Sequence, residues 1–248
     1  MKGILYFALA LSVLVSCSKE SVENSEEKKE IEPVVFSYEE MTLPDMDLRY
    51  RKAVIASNPN EKAALVLYLH GGSSKGSDNV AQVAEKGVDS IGNYLARHEI
   101  NSIFLVPQCP SDKSWGGIMN SVLKRLIDTY VAEFDADAGR IYIFGGSMGG
   151  TGTWGMLSSY PGLFAAAMPV AGNPSRCNAE SVAATPVFTV MGTADAIMSV
   201  DAVVDFINKL TLLGNDNMFE TETGWTHEVT CIESYTERRL DWVFNHRK

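Results

Sequence analysis

The sequence predicts an α/β protein: one mostly parallel central sheet with helices on both faces, built as a single domain. Three observations carry this. Short apolar runs recur along the chain, each ending near Gly or Pro, as strands buried on both faces do. Longer stretches with helical spacing of apolar residues lie between them. The alternation persists from about Ser37 to the end, which implies parallel strands joined by crossover helices. With 46% hydrophobic and 21% charged residues, the chain can build one large core. Its net charge of −10 argues against nucleic acid as a partner, which needs a basic face.

The first residues stand apart. Met1-Lys2 precedes the apolar run GILYFALALSVLV at 3–15. That run is too short for a bilayer-spanning helix, which needs about 20 residues, and it suits the core of a secretory signal. Next comes SKESVENSEEKKEIEP at 18–33, with almost nothing apolar to bury, and it reads as a flexible tether. The expected boundaries are a signal over 1–16, a tether over 17–36 and a folded domain over 37–248.

Within that domain YRKAVIAS (50–57) predicts an edge strand. Buried parallel strands are expected at AALVLYL (63–69), SIFLVP (102–107), IYIFG (141–145), FAAAMPVAG (164–172) and PVFTVMG (186–192). MFETETG (218–224) supplies the last strand, and helices are expected over 79–97, 117–134, 149–160, 201–213 and 233–245. No internal repeat and no second domain is evident in the sequence.

One stretch works against its own helix. Gly145, Gly146, Gly149, Gly150, Gly152 and Gly155 crowd the start of the third helical segment, where each costs about 1 kcal/mol relative to Ala. Ser147 sits among them as Gly145-x-Ser147-x-Gly149. This is the pattern of a nucleophile elbow, a Ser on a tight turn between strand and helix with its hydroxyl raised above the sheet. A second match, Gly72-x-Ser74-x-Gly76, has no helix directly behind it and too few strands ahead, so Ser74 is set aside.

A Ser hydroxyl needs a base, and the base needs an orienting acid. The four histidines are His70 at a strand end, His98 at a polar helix end, His227 in a loop after the last strand, and His246 in the tail. Among the acids, Asp195 follows a strand, Asp201 and Asp205 belong to a helix, and Asp216 lies in a polar turn. Cys109, Cys177 and Cys231 match no zinc spacing and read as structural, with their pairing open.

From about residue 60 onward the chain resembles the α/β-hydrolase superfamily, in its small secreted branch of dienelactone hydrolases, carboxylesterases, feruloyl and acetylxylan esterases. LHGG (69–72) is similar to the oxyanion loop, GGSMGG to the elbow, MGTAD to the acid loop, and Thr226-His227 to the histidine loop. The segment VPQCP…SW (106–115) is also similar to secreted esterases of that branch. The superfamily's chain order of Ser, acid, His implies Ser147 as nucleophile, Asp195 as acid and His227 as base. It implies backbone N–H groups of Met148 and Gly72 as the oxyanion hole. Trp115 is a candidate wall of the substrate pocket, with a core-covering role as the alternative. Two departures are Ala196, where relatives often carry Pro, and the lack of Gly directly before His227.

The resemblance implies a serine esterase acting on a small-molecule or polysaccharide ester, acetyl and feruloyl esters among them, with no metal or organic cofactor. A serine peptidase of the prolyl oligopeptidase kind and a non-catalytic binding lipoprotein on the same fold are the alternatives. Leu14-Val15-Ser16-Cys17 resembles the lipobox of bacterial lipoproteins, which implies Cys17 as the lipid attachment site. The protein is then expected to be extracytoplasmic and tied to a membrane by acyl chains only. An ordinary cleaved signal with an incidental Cys is the other reading.

Overall fold

A computed structural model describes residues 32–44 and 46–248. The expected signal, most of the expected tether, and Cys17 lie outside the described residues. The described chain forms one eight-stranded sheet with spatial order β1-β2-β4-β3-β5-β6-β7-β8. Its strands are β1 Ser37–Thr42, β2 Asp47–Ile55, β3 Ala63–Leu69, β4 Ser102–Pro107, β5 Ala136–Gly146, β6 Ala166–Val170, β7 Val187–Gly192 and β8 Asn217–Glu222. β1 and β2 pair antiparallel, as do β2 and β4, and every other pair is parallel. The helices are α1 Lys86–Arg97, α2 Ile118–Glu133, α3 Met148–Ser159, α4 Ala179–Val182, α5 Val200–Leu212, α6 His227–Glu233 and α7 Glu237–Phe244.

The central strands read as continuous apolar runs because both of their faces are buried. In β3, Leu65, Leu67 and Leu69 point into a core shared with α2, α3 and α5. Their neighbours Ala64, Val66 and Tyr68 point into a second core shared with α1 and α7. β5 divides in the same way, Ile141 and Ile143 to one side, Tyr142 and Phe144 to the other. This is the period-2 alternation of a pleated strand with helices on both faces.

Four sequence expectations change. The strand containing residues 50–55 is not an edge: β1 covers it, and β1 escaped notice because Ser-Tyr-Glu-Glu-Met-Thr is mostly polar and half exposed. Such charged, polar strands are how sheets blunt their margins. The docked chain begins before Ser37, since Val34 packs on Gly92 and the Phe36 ring meets Phe104 edge-on at 5.6 Å. The helix expected over 79–97 breaks at Glu85, whose extended backbone (φ −73°, ψ 135°) separates a 3-10 turn, Ala81–Ala84, from α1. The closing helix expected over 233–245 is α7 and starts only at Glu237, a separate helix α6 occupies the stretch before it that was expected to be loop, and the single turn α4 lies below the length at which periodicity can be read. Buried Arg239 of α7 bonds Glu220 and Glu222 of β8 and the Ser234 carbonyl, which fixes the end of α6 over the sheet.

The glycines at the start of α3 are explained by contact. A Cβ on Gly149 would stand 1.7 Å from the Leu69 carbonyl oxygen, so α3 rests directly on the end of β3. A Cβ on Gly155, two turns further along, would meet nothing closer than 3.7 Å. Gly149→Ala is therefore expected to lower stability by about 3 kcal/mol or more, as backbone must move. Gly155→Ala should raise it by about 0.5–1 kcal/mol through helix propensity. Urea unfolding of the two variants checks this, and equal effects would contradict the contact.

Candidate active site

β5 delivers Ser147 at its carboxyl end in a left-handed backbone, φ 57° and ψ −118°, which a non-glycine residue adopts only under constraint. The constraint is visible on both sides. The Ser147 N–H donates to the Val170 carbonyl at 3.0 Å, and its own carbonyl accepts from the Thr151 N–H at 3.0 Å. The turn aims Oγ at His227 Nε2, 2.7 Å away, and His227 Nδ1 lies 2.8 Å from Asp195 Oδ2. With Asp195 as acceptor, the network assigns the proton to Nδ1 and leaves Nε2 to accept from the Ser147 hydroxyl.

Asp195 is fixed in turn: its side chain is fully buried, and Oδ1 accepts the N–H groups of Ile197 and Met198 at 2.8 Å each. His227 does not sit in a loop, as the sequence suggested, but is the first residue of α6. Thr226 precedes it as N-cap and accepts from the Val229 N–H at 3.4 Å. The imidazole is thus mounted on a helix end that Thr226 caps.

The segment leaving β3 forms the opposite wall. Gly71 donates its N–H to Glu85 Oε1 at 2.8 Å, while the N–H groups of Gly72 and Met148 donate to no backbone carbonyl. Ser74 is buried in a 3-10 turn, Gly72–Ser74, and its Oγ donates to the same Glu85 oxygen at 2.7 Å. The second Gly-x-Ser-x-Gly match is thus a tight turn with its hydroxyl already engaged.

Trp115 takes up features of both of its expected roles. It is only 7% exposed, its Nε1 donates to the His70 carbonyl at 2.9 Å, and its side chain packs on Gly152. It braces the loop from behind, and it also lines a cavity together with Gly116, Gly117 and Asn120.

A cavity of about 520 Å³ opens over Ser147 and His227, walled by Gly72, Glu85, Ile197, Cys231 and Ile232. A second, of about 710 Å³, lies over the other face of the sheet and is bounded by Asn120, Thr151, Asn173, Arg176 and Met198. Thr151 and Met198 are close neighbours of Ser147 and Asp195, so the two cavities flank the turn. Among the described residues the three cysteines are free. Burial pushes the Cys231 thiol up to about 12, which keeps it protonated and inert beside the Ser147 turn.

Comparison with known proteins agrees with the topology. A thermostable esterase of known structure superposes with a TM-score of 0.79 at 26% identity, over 86% of this chain and 63% of that one. The chain has the α/β-hydrolase fold. Among curated relatives, poly(3-hydroxyalkanoate) depolymerase C of Paucimonas lemoignei is 29% identical over 146 residues, 55% of this chain and 34% of that protein. Acetylxylan esterase A of Emericella nidulans is 40% identical over 62 residues, 25% of this chain and 20% of that protein. The chain therefore spans about a third or less of the curated relatives it matches. No protein-family model matches it.

Sequence reasoning missed two residues that shape the loop after β3 of this fold: Glu85 and, as more than a strand end, His70. His70 is fully buried, with Nδ1–H donating to the Gly71 carbonyl at 2.6 Å and Nε2 accepting the Cys109 N–H at 2.9 Å. Burial lowers its pKa from an ordinary 6.5 to about 4. The unfolded chain takes up this proton near 6.5 and the folded chain only near 4. Stability from His70 is therefore complete above pH 6.5 and is lost as pH falls through that window, by about 3 kcal/mol in all. Urea unfolding at pH 7 and pH 4.5 should show this loss in the wild type and a smaller one in His70→Gln. Equal losses in both would contradict it.

Proposed function

We propose that the chain is a serine hydrolase of carboxylic esters working through an acyl-enzyme. The observation that carries this is the unbroken contact from Asp195 through His227 to Ser147, at 2.8 and 2.7 Å. Ser147 Oγ attacks the ester carbonyl carbon while His227 Nε2 takes its proton. Asp195 holds the imidazole in the required tautomer and stabilises the imidazolium. His227 then returns the proton to the leaving alkoxide, and water repeats the sequence to release the acid. Charge on the tetrahedral oxygen is met by the N–H groups of Met148 and Gly72. Of the two loop glycines, Gly72 is the available donor, because Gly71 already bonds Glu85.

The two cavities support an ester with dissimilar halves. Ile197 and Ile232 give the space over Ser147 an apolar side, whereas Thr151, Asn120, Asn173 and Arg176 give the other space polar walls. An acetyl or feruloyl ester of a polysaccharide fits that division, and the acetylxylan esterase relative supports the same class. From the sequence alone we also infer that Cys17 is acylated and holds the protein on the extracytoplasmic side of a bacterial membrane.

Ser147→Ala should lower kcat/KM for p-nitrophenyl acetate by on the order of 10⁴–10⁶, while Ser74→Ala stays within about tenfold. Reversed outcomes would move the nucleophile to Ser74. For the anchor, metabolic labelling with a fatty-acid precursor should mark the wild type and not Cys17→Ala, and label retained on the variant sinks that inference.

A further inference from the structure

The turn that holds Ser74 raises a question, because its buried hydroxyl and the Gly71 N–H converge on one carboxylate oxygen. Glu85 Oε1 accepts both, at 2.7 and 2.8 Å, and Oε2 accepts the Tyr68 hydroxyl at 3.0 Å. Three donors on one side chain is an expensive commitment in a protein interior, and it is made beside the Ser147 cavity, which Glu85 helps to wall. Gly71 stands between the two: a Cβ there would be 3.4 Å from Glu85 Oε1 and 3.8 Å from Ser147 Cβ.

The backbone is arranged to permit this. Glu85 occupies the N-cap position of α1 yet makes no side-chain cap bond to its own helix. Its extended φ and ψ interrupt the helix expected over 79–97 and turn the carboxylate toward the loop after β3. Tyr68, the third partner, lies on β3 just before that loop. Burial raises the Glu85 carboxyl above its ordinary range, and the donors from Ser74, Gly71 and Tyr68 pull it back.

We propose that Glu85 is a positioning residue: through Gly71 and Ser74 it sets the Gly72 N–H at the distance from Ser147 at which a tetrahedral oxyanion is bound. The assignment rests on the esterase reading above. Glu85 does not touch the substrate carbonyl; it fixes the donor that does. Such a role acts on the transition state more than on the bound ester, so it belongs in kcat.

Acceptor geometry, not charge, is the operative property, and this separates two variants. Glu85→Leu removes both acceptors and leaves the Gly71 N–H facing carbon. Glu85→Gln keeps an oxygen for Gly71 and Ser74 and turns its NH₂ to Tyr68, whose hydroxyl can reverse to accept. Glu85→Leu should lower kcat for p-nitrophenyl acetate by about 10- to 100-fold with KM within about threefold. Glu85→Gln should restore kcat to within about threefold of wild type. Hydrogen exchange of the Gly71 amide should quicken in Glu85→Leu and not in Glu85→Gln. Full activity in Glu85→Leu, or a loss in Glu85→Gln as large as in Glu85→Leu, overturns the proposal. If the wild type hydrolyses no ester, the esterase reading fails, and exchange alone judges Glu85: an unchanged Gly71 amide in Glu85→Leu refutes the positioning role.

Discussion

The closest approach in the molecule that matters to its chemistry is between the first turn of α3 and the end of β3. Gly149 lies so near the Leu69 carbonyl that no side chain fits there. That contact ties two functional segments together, because Leu69 is the last residue of β3 and His70, Gly71 and Gly72 follow it at once. Moving α3 away would carry Met148 and Ser147 away from the loop that faces them. The helix accepts poor propensity in its first turns so that the Ser147 turn and the loop after β3 share one backbone contact. The left-handed Ser147, φ 57°, survives because β6 holds its N–H through Val170 and α3 holds its carbonyl through Thr151.

The loop after β3 is held at three further points, each by a different part of the chain. Trp115 donates to the His70 carbonyl, Cys109 donates its N–H to the His70 ring, and Glu85 accepts from Gly71. A catalytic hydrogen-bond donor gains from being fixed before the reaction, since no reorganisation is then needed as charge develops. The buried neutral His70 is part of that rigidity, and it makes the loop's support sensitive to acid. His227 is kept apart from these braces, on its own helix, with Asp195 locked by two backbone N–H groups beneath it.

How much of this could be read from the sequence follows from what each element depends on. The strands β3 to β7 are two-sided core strands, and continuous apolar runs such as AALVLYL and PVFTVMG are legible for that reason. β1 was invisible because a polar margin strand carries no apolar period. The helix break at Glu85 goes with a hydrogen bond from Gly71, fourteen residues away in the chain, which local pattern does not report. Ser147, Asp195 and His227 could be singled out because motif and chain order constrain them, and they lie in hydrogen-bond contact. Trp115 and Glu85 had no such signal. A Trp reads alike whether its ring faces substrate or core, and a Glu in a surface-like segment gives no hint of three buried donors.

The central claim is that the Ser147 hydroxyl is the group that becomes acylated. The direct measurement is peptide mapping by mass spectrometry after brief exposure of the protein to a fluorophosphonate, which phosphonylates an activated serine and does not turn over. The account predicts one adduct, on Ser147 within IYIFGGSMGGTGTWGMLSSYP (141–161), lost when His227 is replaced by Ala. An adduct on Ser74 or elsewhere, or a protein that hydrolyses esters yet takes up no phosphonate, would contradict it.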